Sequence, residues 1–265
     1  MDELRRQNKK IGFVPTMGAL HQGHLSLIGI ARDQCEQVVA SIFVNPTQFN
    51  DPADLDKYPR PIEEDIKKLE SARCDILFLP EVDEMYRAGE RWHLELGELE
   101  CILEGASRPG HYQGVTQIVS KLFDLVKPDL AFFGQKDFQQ VMVLRKMIAM
   151  LDYKIELNMC PIVREADGLA LSSRNIHLSG VERKQALALF NSLKLVKDQF
   201  QTRDLPALKE LGLSSLRAAD GISVDYFEIL RQEDLAEACD KSQPLIALVA
   251  AQVGATRLID NMILN

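Results

Sequence analysis

The chain contains 265 residues, of which 46% are hydrophobic and 26% are charged, as in ordinary globular proteins. This composition excludes a disordered, collagen-like or repeat-dominated chain, and the length allows one large domain or a large domain with a small companion. The 39 acidic and 31 basic residues give a net charge of −8. No stretch carries the dense run of Lys and Arg that a phosphate backbone attracts, so we do not expect nucleic acid as a partner.

The sequence predicts neither a membrane span nor a secretory leader. No apolar run approaches about 18 residues, and the charged opening residues are not followed by an apolar stretch and a cleavage site. We therefore expect a soluble, cytoplasmic protein with no membrane partner. The five cysteines are odd in number and widely spaced, with no C-x-x-C pair. This pattern predicts free thiols, mostly in the core, and argues against a disulfide framework or a thiolate zinc site.

The first part of the chain alternates short apolar runs with amphipathic stretches. Predicted strands lie at residues 11–14, 38–44, 76–79, 130–133 and 155–163, and predicted helices begin near Leu25 and at Pro61 and cover 115–126 and 138–151. Continuous apolar strands separated by helices are typical of a parallel sheet covered on both faces. The sequence therefore predicts a Rossmann-like, doubly wound α/β domain over residues 1–170 that binds the substrates.

The pattern changes in the last third of the chain. One long helix is predicted over 181–200, a second or broken helix over 205–219, and strands near 222–230 and 245–253 with no long helix between them. We expect residues 171–265 to form a small α+β domain that acts as a lid.

The most informative segment runs from Val14 to His24, with the sequence VPTMGALHQGH, between the first predicted strand and the first predicted helix. In a doubly wound sheet such a turn lies at the carboxyl edge, where ligands bind and where a helix N-terminus offers N–H groups to phosphate. Gly18 and Gly23 allow close backbone approach, and the imidazoles of His21 and His24 can donate to one polyphosphate. The alternative is a surface or metal-like histidine pair, but zinc needs further ligands, and neither H-E-x-x-H nor a cysteine set is present.

This segment resembles the HxGH nucleotide-binding signature of the superfamily that contains class I aminoacyl-tRNA synthetases and nucleotidylyltransferases. Within that superfamily the chain resembles the pantothenate synthetase (pantoate–β-alanine ligase) family. Six segments carry the resemblance in the family's order: PTMGALHQGH (15–24), FVNPTQF (43–49), YPR (58–60), RPGHYQGV (108–115), FFGQKDFQQ (132–140) and READGLALSSRN (164–175).

The resemblance implies a ligase with two chemical steps. ATP and (R)-pantoate would give a bound pantoyl adenylate and pyrophosphate, and β-alanine would then displace AMP to give pantothenate. It also implies a homodimer and Mg²⁺ carried by ATP, although no carboxylate motif fixes the metal's ligands. Glu64 and Asp65 are candidate acids near that metal, with a charge pair at a helix N-terminus as the equally open alternative.

Roles for individual residues follow from the matching motifs. The resemblance implies that His24 is a proton donor and that His21, Lys136 and Arg174 also take part in catalysis. Gln48 and Gln140 match the family's pantoate-binding glutamines. The implied ATP-binding set is Met17, Gly18, Ala19, Leu20, His21, Gln22, Gly23, His24, Gly134, Gln135, Lys136, Asp137, Val163, Leu171, Ser172, Ser173 and Arg174. Asn45 and Arg108 are weaker site candidates, whereas His93, His111 and His177 have no assigned role.

Three other functions stay open at this point. Another HxGH-type adenylyltransferase would transfer AMP to a phosphorylated acceptor, and would need cations where this chain has the paired glutamines. A nonenzymatic nucleotide-binding module would not need His24, Lys136 and Arg174 together on one phosphate chain. An RNA-linked synthetase is the least favoured, because the short second domain is not visibly basic.

Overall fold

The computed structural model describes the backbone of residues 1–265 and every side chain except that of residue 2. It divides into two compact units, one formed by residues 1–134 and 139–161 and the other by residues 135–138 and 162–265. The predicted boundary after residue 170 stays a prediction. The separate roles predicted for a substrate-binding domain and a lid stay predictions.

The first unit is built on a parallel sheet of five strands in the order β3-β2-β1-β4-β5. The strands are β1 (Ile11–Thr16), β2 (Gln37–Ile42), β3 (Ile76–Phe78), β4 (Leu130–Gly134) and β5 (Glu156–Cys160). Because β1 pairs with both β2 and β4, the strand order reverses between β1 and β4, and the carboxyl ends of these two strands form the switch point where doubly wound sheets bind ligands. The predicted doubly wound α/β class is confirmed.

The helices of the first unit lie before and between these strands. They are α1 (Asp2–Arg6), α2 (Gln22–Gln34), α3 (Pro52–Lys57), α4 (Ile62–Ser71), α5 (Val82–Met85), α6 (Leu103–Ser107), α7 (His111–Val126) and α8 (Phe138–Met150). Leu27 and Ile28 of α2 join Val14, Val38 and Phe132 of the sheet in one buried cluster. Burial of each such side chain contributes roughly 1.5–3 kcal/mol, which anchors α2 to the strand edge where its N-terminus lies.

The second unit is an α+β fold with an antiparallel sheet in the order β6-β7-β8. Its strands are β6 (Ile222–Arg231), β7 (Leu245–Val253) and β8 (Thr256–Ile263), and its helices are α9 (Gly180–Gln185), α10 (Leu187–Asp198) and α11 (Leu205–Arg217). The predicted single helix over 181–200 is interrupted at Ala186, whose backbone stays in the right-handed helical region (φ −56°, ψ −23°). Helices α10 and α11 pack on the sheet through a shared apolar core.

The sequence did not predict strand β8. Its alternation of apolar and polar positions is broken by Asp260 and Asn261, which are both buried and polar. A period-2 apolar pattern is the signal that identifies a half-buried strand, so two buried polar residues conceal it.

The five cysteines are free thiols, but fewer of them are buried than expected. Cys35 and Cys160 are buried and Cys74 is half-buried, whereas Cys101 and Cys239 are exposed. Among the described residues, none of the helices is both long and apolar enough to span a bilayer.

Candidate active site

The turn that follows β1 has an unusual backbone. Gly18 and Ala19 both have positive φ angles, of 82° and 49°, and the N–H group of Gly18 donates to the hydroxyl of Thr16 at 3.2 Å. A left-handed conformation is easy for glycine but costs an L-residue such as alanine roughly 1–2 kcal/mol. The turn therefore requires stabilisation from elsewhere in the fold.

A buried carboxylate in the first turn of α4 supplies that stabilisation. Asp65 has no exposed surface and accepts the N–H groups of Ala19 at 2.7 Å and Leu20 at 2.8 Å. Lys68, one turn later, donates to the carbonyl of Leu20 at 2.8 Å and lies 3.9 Å from the Asp65 carboxylate. Asp65 thus anchors the turn, while Glu64 beside it is exposed. In the sequence, Asp65 lies four residues before the apolar Leu69. This spacing places both side chains on the inner, buried face of α4.

The two histidines of the HxGH segment cap α2 and hold each other in place. His21 is the N-cap residue, and its Nδ1 accepts the N–H group of Gly23 at 3.1 Å. The Nδ1 atom of His24 accepts the N–H group of His21 at 3.2 Å, and the ring centroids lie 4.1 Å apart. Because each Nδ1 is an acceptor, each neutral ring carries its proton on Nε2.

These hydrogen bonds already occupy several polar groups of the turn. The N–H groups of Ala19, Leu20 and Gly23 already have partners inside the protein, and the Nδ1 atoms of His21 and His24 are engaged as acceptors. A second proton on either ring would place an N–H group at Nδ1 against a backbone N–H group. The proton-donor role that the resemblance implies for His24 stays a prediction.

Gln48 connects the FVNPTQF segment to the turn after β1. Its side chain is buried, with Nε2 donating to the sulfur of Met17 at 3.0 Å and Oε1 accepting from the amide of Asn45 at 3.0 Å. Asn45 in turn donates to the carbonyl of Gly114 at 3.1 Å and accepts the hydroxyl of Tyr86 at 2.5 Å. A predicted pantoate-binding residue and a predicted ATP-binding residue are thus in direct contact.

The RPGHYQGV segment fixes the backbone of Gln48. Nδ1 of His111 donates to the Gln48 carbonyl at 2.8 Å, and a guanidinium nitrogen of Arg108 donates to the same oxygen at 3.2 Å. Gly114 allows the close approach of α7, because a Cβ atom there would lie 2.3 Å from the carbonyl oxygen of Thr47. The sequence assigned no role to His111; its buried position at the start of α7 makes it an anchor of this site.

Gln140 and Gly134 also belong to the first unit. Gly134 ends β4 at the switch point, and Gln140 is half-buried in the first turn of α8. The remaining unassigned histidines, His93 and His177, are exposed, and His93 lies 3.7 Å from Glu95.

The other predicted site residues lie in the second unit. The segment Gln135–Asp137 forms one 3₁₀ turn that contains Lys136. Residues 163–171 form a hairpin in which the N–H group of Leu171 donates to the carbonyl of Val163 at 3.0 Å, so that carbonyl is already engaged. Ser172 follows directly and caps the 3₁₀ helix Ser173–His177, accepting the N–H group of Arg174 at 3.3 Å.

The described side chains offer no preformed metal centre. No group of three or more His, Cys, Asp or Glu residues among them could hold a metal ion.

The parallel sheet with its strand-order reversal beside β1, and the capped His-x-Gly-His turn at that point, define a doubly wound α/β protein of the HxGH class. The chain belongs to the pantoate–β-alanine ligase family, whose family model matches residues 1–263.

Relatives match the chain over nearly its whole length. Pantothenate synthetase from Acidobacterium capsulatum is 51% identical over 259 residues, which cover 97% of this chain and 87% of that protein. Pantothenate synthetase from Thermotoga petrophila is 49% identical over 266 residues, covering 100% and 95%.

Solved structures agree with the fold. Pantothenate synthetase from Thermus thermophilus superposes with a TM-score of 0.94 at 42% identity, covering 99% of this chain and 97% of that chain. Pantoate–β-alanine ligase from Francisella tularensis, solved in complex with beta-gamma ATP and β-alanine, gives a TM-score of 0.79 at 35% identity, covering 97% and 90%.

Proposed function

We propose that the protein is an ATP-dependent ligase that condenses (R)-pantoate with β-alanine to give pantothenate, AMP and pyrophosphate. Membership of the family over the whole chain supports this function, as does the complex of the Francisella relative with beta-gamma ATP and β-alanine. The observation in this chain that carries it is the 3.0 Å contact between Gln48 and Met17, which joins the acid-binding motif to the nucleotide-binding motif.

The first step activates the acid. A carboxylate oxygen of pantoate attacks the α-phosphorus of ATP, the bond between that phosphorus and the bridging oxygen breaks, and pyrophosphate leaves. Negative charge grows on the departing pyrophosphate, and preorganised donors stabilise it without having to reorient. We assign this role to the Nε2–H groups of His21 and His24 and to the cations Lys136 and Arg174.

The glutamines hold the acid. A neutral amide can donate to the hydroxyl and carboxylate of pantoate without the ion pair that would weaken the attacking oxygen as a nucleophile. Gln48 suits this role because its carbonyl and its side chain are both held from inside the protein. We assign the same role to Gln140.

The second step forms the amide. The amine of β-alanine attacks the acyl carbon of the adenylate, the bond from that carbon to the phosphate oxygen breaks, AMP leaves with the electron pair, and the amine nitrogen releases a proton. The remaining ATP-binding residues of the HxGH, FFGQKDFQQ and READGLALSSRN segments hold the nucleotide through both steps.

Magnesium and the cellular setting complete the proposal. As the family resemblance implies, Mg²⁺ would enter bound to the phosphates of ATP and would supply positive charge to them. The protein acts as a cytoplasmic homodimer on small molecules, and its net charge of −8 is unsuited to nucleic acid.

The decisive experiment is ATP–pyrophosphate exchange with a panel of small carboxylates. Exchange that requires pantoate, followed by formation of pantothenate when β-alanine is added, is the expected result. If none of the carboxylates supports exchange, and AMP is instead transferred to a phosphorylated acceptor, the result would favour the rival adenylyltransferase.

A further inference from the structure

Asn261, in strand β8, uses its whole side-chain amide to hold the segment that contains Lys136. Its Nδ2 donates to the carbonyls of Gln135 at 2.9 Å and Lys136 at 3.0 Å, and its Oδ1 accepts from the side chain of Gln135 at 3.0 Å. Asn261 is only 2% exposed. Both N–H bonds and the oxygen of one buried amide are thus committed to two consecutive residues, which fixes the backbone on either side of the Lys136 Cα atom.

Asp260, the preceding residue, holds a second segment in the same unit. Its carboxylate accepts both terminal nitrogens of Arg164, at 2.6 and 2.9 Å, and also the N–H group of Asn261 at 2.7 Å. Burial raises the pKa of the Asp260 carboxyl, while the charges of Arg164 and Lys136 act in the opposite direction. The paired geometry supports an ionised carboxylate, since a guanidinium binds carboxylates in this two-bond manner.

Arg164 in turn organises the hairpin that leads to Ser172 and Arg174. It donates to the carbonyl of Gly168 at 3.0 Å and lies 4.9 Å from the ring centroid of Phe190. Gly168 has a φ angle of 102°, and a Cβ atom there would lie 2.2 Å from that ring, so the tip of the hairpin is packed against Phe190.

The neighbouring residues Asp260 and Asn261 therefore hold both segments of the second unit that carry the proposed phosphate-binding cations. Asn261 does so directly, and Asp260 does so through Arg164. We propose that they are positioning residues for the adenylation step: Asn261 sets the place of Lys136, and Asp260, through Arg164, sets the start of the segment that contains Arg174. This proposal rests on the proposed function. Neither residue needs to touch the substrate, because a catalytic group displaced by about 1 Å can lose roughly 10²-fold in rate.

Asn261→Ala and Asn261→Asp test the first half of the proposal. The aspartate variant keeps the size of the side chain but replaces the donating NH₂ group with an oxygen that faces two carbonyls. Val249→Ala, a fully buried core change in the adjacent strand β7, is the control for lost stability. We expect both Asn261 variants to lower pantoate-dependent ATP–pyrophosphate exchange by roughly 10- to 100-fold, and Val249→Ala to leave it within about twofold.

A double-mutant cycle separates positioning from general damage. If Asn261 acts through Lys136, then adding Asn261→Ala to Lys136→Gln should reduce exchange by less than about twofold, because the group it positions is already gone. Losses that multiply in the double variant, or an equal loss in Val249→Ala, would overturn the proposal.

Hydrogen–deuterium exchange gives a readout that does not depend on activity. We expect Asn261→Ala to speed exchange of amides within residues 134–138, and Asp260→Asn to speed exchange within residues 164–171, relative to Val249→Ala at matched stability. If the native protein shows no pantoate-dependent exchange of pyrophosphate, the proposed function fails. Hydrogen–deuterium exchange still tests the positioning roles in that case, because it does not depend on activity. Unchanged protection in both peptides would refute them.

Discussion

The carboxylate of Asp65 accepts the backbone N–H group of Ala19 at 2.7 Å, across 46 positions of sequence. Ala19 has the positive φ angle that costs an L-residue roughly 1–2 kcal/mol. A hydrogen bond to a charged group contributes roughly 1.5–3 kcal/mol, and Asp65 makes a second one to Leu20, so the acid outweighs the strain of the turn. The backbone that leads into the HxGH segment is thus set from α4.

We predict that Asp65→Asn destabilises the protein and slows adenylation. The amide keeps one acceptor but turns an NH₂ group toward a backbone N–H group, leaving a buried donor without a partner, at a cost of roughly 1–3 kcal/mol. Thermal unfolding and pantoate-dependent pyrophosphate exchange measure the two effects. Glu64→Gln, on the exposed neighbour in the same helical turn, is the matched control and should change neither. Equal behaviour of the two variants would show that Asp65 does not hold the turn.

The mutual capping of the histidines predicts a difference between two substitutions at His24. The side-chain oxygen of asparagine can accept the His21 N–H group as Nδ1 does, but asparagine has no counterpart of Nε2–H. We expect His24→Asn to keep more thermal stability than His24→Ala, while both lose roughly 10²–10³-fold in kcat, as does Lys136→Ala. Near-normal turnover in these variants would remove both side chains from the mechanism.

The glutamines predict a substrate-specific defect. Gln48→Ala and Gln140→Ala should raise the KM for pantoate much more than the KM for ATP, and Arg174→Ala should do the reverse. Gln48→Ala should also lower the unfolding temperature, because it removes a buried amide that bonds to Asn45. The exposed Gln34→Ala serves as the control for removing a glutamine amide. Weaker ATP binding with unchanged pantoate binding would reverse our assignment of the pocket.

The proposed order of chemistry predicts a burst. Enzyme mixed with Mg-ATP and pantoate, without β-alanine, should release about one pyrophosphate per active site and then stall, because the bound adenylate waits in a site closed to water. Rapid-quench analysis with labelled ATP measures the amplitude. The control omits pantoate and should show no burst. Pyrophosphate that appears only after β-alanine is added would exclude the two-step scheme.

We expect the five cysteines to form two groups that differ in thiol reactivity. Burial raises the pKa of the Cys160 thiol to about 11, and it also raises the pKa values of Cys35 and Cys74, so little of the reactive thiolate forms on these three near pH 8. Cys101 and Cys239 are exposed. We expect iodoacetamide to modify these two rapidly in the native protein and all five after denaturation, as read by mass spectrometry. Rapid native labelling of Cys160 would contradict the packing of β5.

Much of the first unit could be predicted from the sequence, because most of its strands contain continuous apolar runs and its longer helices repeat with a helical period. The HxGH turn was recognisable for a similar reason, since its residues are adjacent in the chain. The anchors of the site were not. Asp65 looked like an ordinary acid at a helix start, and His111 had no visible partner, because their hydrogen bonds join residues 45 or more positions apart.

In the second unit, the long-range contacts of the site were even harder to predict from the sequence. Asn261 and Gln135 are 126 positions apart, and their contact depends on a strand whose buried polar residues obscure its pattern. Local sequence carries the periodicity of an element, but the partner of a buried polar group is fixed only when the chain folds.

The reciprocal capping of His21 and His24 also limits how this protein could be engineered. Serine, aspartate and asparagine are better N-cap residues than most, and a good cap contributes about 0.5–2 kcal/mol, so a search for thermostable variants would be drawn to position 21. The imidazole there begins the helix, and in the proposed mechanism it also donates to the leaving pyrophosphate, a role that the shorter side chains of serine, aspartate and asparagine would not fill. At the first residue of the α2 cap, selection for thermal stability and selection for catalytic turnover would therefore favour different side chains.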